Sequence, residues 1–222
     1  MNAVDAVKHL LLESGAAWVL WFLGILSAIT VALVVERIIF YRAVSADLRT
    51  LVVEVDGWLA KGDRATAMAE LSKSDSVAAS IAVAGIRLSD RGAAAAEHGM
   101  RSATALERAR LERWLAYLGT VGNNAPFVGL FGTVIGVIHA FEELGRSTGQ
   151  EAAASASQVA SQAVMAAVAE ALVATAVGIL VALPAVAFYN YFQRRVTAIL
   201  GESEALSSLV LAYIGDGERK GA

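Results

Sequence analysis

The stretch AVMAAVAEALVATAVGILVALPAVAFYNYF, Ala163 to Phe192, carries a single charge, Glu170, in an otherwise apolar run. A hydrocarbon core needs about 20 residues of helix to cross, so this run reads as a membrane span long enough to tilt or project. Two more charge-free runs precede it. Ser14 to Val35 are 22 residues between Glu13 and Glu36, and Trp114 to Phe141 are 28 residues between Arg113 and Glu142, in which only His139 and Tyr117 titrate. The first run follows the acids Asp5 and Glu13 and ends without a small-x-small cleavage site, so it reads as a retained span and not as a signal peptide.

The chain is therefore expected to be an all-α integral membrane protein with three transmembrane helices. The expected order is an N-terminal periplasmic segment at 1–15, a first span at 16–41, a cytoplasmic helical domain at 42–113 and a second span at 114–141. A short periplasmic loop at 142–162, a third span at 163–193 and a cytoplasmic C-terminal helix and tail at 194–222 follow. Composition agrees: the 222 residues are 57% hydrophobic and 18% charged, with mean hydropathy +0.58, too apolar for an ordinary soluble domain.

Of 18 basic residues, 11 fall from Arg42 to Arg113 and four after the third span, whereas Lys8 and Arg146 stand alone on the other side. The positive-inside rule then places the N-terminus outside and the C-terminus in the cytoplasm. Aromatic residues suit that orientation, with Trp18 and Trp21 at the outer end of span one and Tyr41, Trp114, Tyr117, Tyr189 and Tyr191 at the inner ends. In the cytoplasmic domain Leu48, Leu51, Val52, Val55 and Leu59 recur at helical spacing until Gly62-Asp63 interrupts them. Its charges are mixed in sign, as on a solvated face. From Ala93 few breakers occur, and one continuous helix is expected to run from the cytoplasm into span two.

Several function classes are excluded. A net charge of -3 without a basic cluster argues against nucleic acid. Zero cysteines leave no disulfide or thiolate chemistry, and His9, His98 and His139 are too scattered for a metal site. No phosphate loop or nucleophile elbow is present, nor the paired aspartates of an intramembrane protease, so no enzyme activity and no cofactor are expected.

The chemistry is expected in spans two and three. Span two holds Ala125 and Gly129, and Gly132 and Gly136, at spacings of four, and small-x-x-x-small faces let helix backbones approach closely in lipid. Such faces, with Gly178 in span three, are expected to pack helices and to join subunits. Pro126 and Pro184 each remove a backbone hydrogen bond and mark expected kinks. Thr133 is a hydroxyl beside two glycines, and Asn123 and Asn124 need partners at that depth. An intramembrane carboxylate costs about 2.5–3.5 kcal/mol on insertion scales and is rarely kept without a polar cavity or partner, which makes Glu170 the leading candidate for proton handling. Ala174 and Gly178, one and two turns on, are small enough to leave room for an inserted helix or water. His139 is a possible relay.

Asn124-Ala-Pro-Phe-Val-Gly-Leu-Phe-Gly-Thr-Val-Ile-Gly-Val-Ile-His-Ala-Phe141 and Ala169-Glu-Ala-Leu-Val-Ala-Thr-Ala-Val-Gly-Ile-Leu-Val-Ala-Leu-Pro-Ala-Val-Ala-Phe-Tyr-Asn190, with Glu36-Arg37 as a weaker third match, resemble the MotA/TolQ/ExbB proton-channel family, most closely its ExbB and TolQ branch. The resemblance implies a homopentameric ring in the bacterial inner membrane surrounding an ExbD/TolR-like single-span partner that bears an intramembrane aspartate. It further implies Glu170 as the family's intramembrane glutamate, Thr133 and Thr175 as its pore-lining threonines, and protons as the coupling ion. Force would pass to a TonB- or TolA-like energiser or to a gliding-motility apparatus. The rival expectation is a non-conducting scaffold that clamps partner helices among the membrane lipids, with Glu170 as an assembly hydrogen bond.

Overall fold

A computed structural model of the protein describes residues 17–45, 48–148 and 154–221. The expected N-terminal segment 1–15 and residues 149–153 of the polar connection lie outside the described residues. Among those described, all regular structure is helical: α1 (Ala17–Val44), α2 (Leu48–Ala60), α3 (Arg64–Leu71), α4 (Val77–Arg87), a 3-10 turn at Ser89–Arg91, α5 (Ala93–Glu112), α6 (Leu115–Thr148) and α7 (Ala154–Gly221). Three helical stretches, Ala17–Val44, Leu115–Glu142 and Val164–Gly217, are long and apolar enough to cross a membrane. Pro126 and Pro184 lie inside α6 and α7, which continue on both sides of them.

The chain divides into two compact units, residues 1–33 with 117–189 and residues 34–116 with 190–222. In the first, Val19 and Leu23 of α1, Val121, Ala125 and Ile135 of α6, and Val181, Ala182 and Ala185 of α7 form one buried cluster. Many large side chains point outward instead, among them Phe127, Leu130 and Phe141 of α6 and Leu172, Leu180 and Leu183 of α7. An apolar exterior of this extent suits hydrocarbon as solvent and would be an aggregation hazard in water.

The second unit is built like a water-soluble helical domain. Gly62, at φ +75°, ends α2, and Asp63 caps α3 by accepting the Thr66 amide at 3.0 Å. That hydrogen bond holds the Asp63 carboxyl below the usual carboxylate range. A depressed folded pKa contributes stability that is complete at neutral pH and is lost on acidification through that range. Ser76 caps α4 by accepting the Ala79 amide at 3.2 Å. Helices α4 and α5 meet at two glycines: a Cβ on Gly99 would lie 2.6 Å from the Leu88 side chain and 3.0 Å from the Ala84 carbonyl, and one on Gly85 would strike Met100. Along α7, Phe192, Val196, Ile199, Leu206, Val210 and Ile214 are buried at spacings of three, four and seven, the pattern of a stripe packed on other helices. Ser203 interrupts the stripe without leaving a polar atom orphaned, since its hydroxyl donates to the Ile199 carbonyl at 2.8 Å.

The expectation of one helix from the cytoplasmic domain into span two is not met. α5 stops at Glu112 and α6 starts at Leu115, with Arg113 extended (φ −53°, ψ 134°) and Trp114 left-handed at φ 68°. No glycine or proline announces the break. The reason lies in side chains that arrive from α1.

Because the Ser76 cap is buried, Ser76→Ala should lower stability by about 1 kcal/mol, read as a lower midpoint of thermal unfolding in detergent by circular dichroism, with the α-helical baseline unchanged.

Candidate functional site

The site is built on the contact between α6 and α7. Added Cβ atoms locate it: one on Gly129 would lie 2.7 Å from the Ala174 carbonyl oxygen, 3.0 Å from the Thr175 Cα and 3.2 Å from the Gly178 Cα. One on Gly178 would lie 2.7 Å from the Ala125 carbonyl and 3.0 Å from the Gly129 Cα. Such contacts are with backbone and cannot be relieved by turning a side chain. Further along, Gly132 meets Ala174 and Val19, Gly136 meets Ala171 and the Ala167 carbonyl, and at the other end Gly122 meets Val186 and Gly119 meets Tyr189. The two helices therefore run antiparallel with their backbones in contact over several turns.

Two consequences follow, the second of which corrects an expectation. The small-residue face of span two meets α7 of the same chain, so these glycines pack helices within one chain. Ala174 is fully buried and Gly178 abuts Gly129, so their small size admits α6 and leaves no room for an inserted helix.

The same contacts set the heights of the candidate residues. Gly132 and Gly136 lie opposite Ala174 and Ala171, which puts Thr133 level with the turn of α7 between Glu170 and Thr175. Thr133 is half-buried and donates its hydroxyl to the Leu130 carbonyl of its own helix at 2.6 Å. Thr175 differs. Its hydroxyl oxygen is buried and has no hydrogen-bond partner in the structure, an arrangement that costs about 1–3 kcal/mol unless another group reaches it. Glu170 is exposed on the surface of α7, and its same-face neighbours one turn before and after include the exposed Ala166 and Val173, the latter at 50% exposure. A lone carboxyl thus stands on an apolar outer face. His139 is half-buried on α6, about one turn beyond the buried Ile135 and Gly136. Asn124 donates to the Thr120 carbonyl at 2.8 Å, one turn back on α6. Among the described residues no cluster of acids and histidines fit for a metal ion occurs.

Span one enters the site through Val19, whose side chain fills the notch at Gly132, and through the Trp18 ring, edge-on to Phe131 at 6.2 Å. A valine within an apolar run carries no signal of such a role in sequence.

The fold and the site thus define a multi-pass α-helical membrane protein in which two glycine-packed spans carry Thr133 level with the turn between Glu170 and Thr175. Residues 73–205 match the model of the MotA/TolQ/ExbB proton channel family, and the chain belongs to that family. It is similar to the Tol-Pal system protein TolQ of Pseudomonas aeruginosa, 41% identical over 102 residues that make up 46% of this chain and 40% of that one. It is also similar to the biopolymer transport protein ExbB of Neisseria gonorrhoeae, 36% identical over 108 residues, 49% of this chain and 45% of the other. A second TolQ, from Haemophilus influenzae, is 42% identical over 89 residues, 40% of this chain and 35% of that protein. The matches thus span less than half the length of each of these relatives, and they place the chain in the ExbB/TolQ branch.

Replacing Gly129 by Ala should destabilise the protein by about 1–3 kcal/mol, because the methyl meets the backbone of α7. Gly24→Ala, which meets nothing within 4 Å, should be neutral or stabilise by about 1 kcal/mol or less. Melting temperatures of the two variants in one detergent check the contrast.

Proposed function

We propose that the chain is the proton-channel subunit of an inner-membrane motor, acting as a ring with an ExbD/TolR-like single-span partner and using the proton motive force as its energy source. The observation that carries this reading is Glu170: a single acid on the exposed apolar face of a membrane helix, level with the half-buried Thr133 and close in sequence to the orphaned hydroxyl of Thr175. A carboxyl in that position requires a polar neighbour from outside the subunit. A partner helix bearing an aspartate, enclosed by copies of this chain, supplies that neighbour and gives the proton somewhere to go.

In this reading Glu170 takes up and releases protons within the ring, and Thr133 and Thr175 line the passage. No cofactor is needed, because the coupling ion is the proton itself. The N-terminus lies in the periplasm and the C-terminus in the cytoplasm, following the distribution of basic residues. Since α6 and α7 leave little of the described chain on the outer side, force leaves the membrane through the partner. The relatives' names divide between a Tol-Pal system and biopolymer transport, so envelope integrity and energised uptake are the cellular readouts.

Proton flux into liposomes carrying the chain with its co-purifying partner, followed by an internal pH dye, tests the reading. Glu170→Gln keeps volume and hydrogen bonding but cannot cycle a proton, and it should cut flux by about a hundredfold or more with recovery of the complex unchanged. Glu170→Ala should do the same, and Glu170→Asp should retain part of the flux because its carboxyl is one methylene short. A fully conducting Gln variant, or a wild-type complex with no flux, would leave the scaffold reading standing in its place.

A further inference from the structure

The break between α5 and α6 occurs where the sequence offers no breaker. Leu111, Glu112, Arg113, Trp114 and Leu115 all tolerate a helix. In an uninterrupted helix the Leu111 carbonyl would accept the amide of Leu115, four residues on. It accepts other donors here. The Tyr41 hydroxyl donates to it at 2.8 Å, and the Arg37 guanidinium donates at a longer 3.5 Å. Both come from the end of α1. Arg37 is 3% exposed and is held in place by the Glu36 carboxylate, with contacts of 2.6 and 2.8 Å. It also lies over the Phe40 ring at 4.5 Å, and Arg110 of α5 lies near the same ring at 5.4 Å. α1 thus grips the last turn of α5 through a buried cation, a phenol and an aromatic ring.

The backbone beyond the grip is strained. The φ and ψ of Arg113 and the φ of Trp114 match the two central residues of a type II turn, whose second position favours glycine. A tryptophan at φ 68° is an outlier that persists only where its surroundings enforce it. Two opposing preferences therefore meet at one carbonyl. Local propensity and the relief of Trp114 favour a continuous helix, whereas Tyr41 and Arg37 favour the break.

From this competition we infer that the Leu111 carbonyl is a two-position latch. Engaged by Tyr41 and Arg37 it holds the joint between α5 and α6 broken, and released it takes the Leu115 amide and joins the two into one helix. Arg37 and Tyr41 are positioning residues for the backbone at Arg113 and Trp114, acting through the end of α5. The latch rests on these hydrogen bonds and dihedrals and does not depend on proton conduction.

The chain has no cysteine, so a spin-label pair at Ser102→Cys and Asn123→Cys reports on the joint alone. Both positions are exposed. A continuous helix between them, about 21 residues at about 1.5 Å each, would hold the backbone sites about 31 Å apart. Wild type in detergent should give a distance that departs from this value. Tyr41→Phe should create a second population near it, and Arg37→Gln with Tyr41→Phe should make that population dominant. Adding Trp114→Gly to the double variant should restore the wild-type distance, since glycine takes a positive φ without strain. A general loss of packing would not be rescued in this way. An unchanged distance distribution in Tyr41→Phe and in the double variant overturns the latch. If the double variant does not fold, Tyr41→Phe decides: a new population near about 31 Å supports the latch and its absence refutes it.

Discussion

The rest of the membrane unit depends on the backbone contact between α6 and α7 at Gly129 and Gly178, where an added Cβ on either residue would fall 2.7 Å from a carbonyl oxygen of the other helix. Lipid tails are as apolar as the side chains of a span, so no hydrophobic force draws helices together in a bilayer. Close packing has to supply the attraction. Dispersion falls steeply with separation, and glycine brings two backbones nearer than any other residue allows. Once these helices touch, the depth of every side chain on them is set, and an acid on one and a threonine on the other come level without contacting each other.

That packing also explains why two of the candidate residues lack polar neighbours in the single chain. The small residues of α7 beside Glu170 are taken up by α6, Ala171 against Gly136 and Ala174 against Gly132. Glu170 is left exposed on the same face as the apolar Ala166 and Val173, and the Thr175 hydroxyl is buried without a partner. Both are unfavourable for an isolated chain in lipid. The chain is well packed where α6 meets α7, and the Thr175 hydroxyl on α7 is left unsatisfied.

The second unit follows different rules, those of a helical domain built for water. Serine and aspartate caps, mixed surface charges and a buried stripe at spacings of three, four and seven along α7 are the devices of a soluble helical domain. The same 68-residue helix runs through both units, with an apolar exterior before Tyr189 and a single buried stripe after Asn190. At the other connection the chain breaks instead of continuing, and the break is imposed by Tyr41 and Arg37 from a helix 70 residues or more earlier in sequence.

Sequence by itself determined the three spans, because a bilayer demands runs of apolar residues whose length and charge can be counted. It also singled out Glu170, as a charge in such a run is too costly to be incidental, and the family to which spans two and three belong. The interruption at Gly62-Asp63 was legible as well, since glycine and aspartate have local reasons to end and begin helices. Only the tertiary structure decided what the small residues face, because a spacing of four marks a smooth helix surface without naming the surface that meets it. The same holds for Ala174 and Gly178, whose size reads as free space until α6 is seen to fill it. The joint at Arg113 and Trp114 was beyond sequence altogether. Its cause is a carbonyl bonded from a distant helix, and a bond of that kind leaves no mark in the residues where the chain turns.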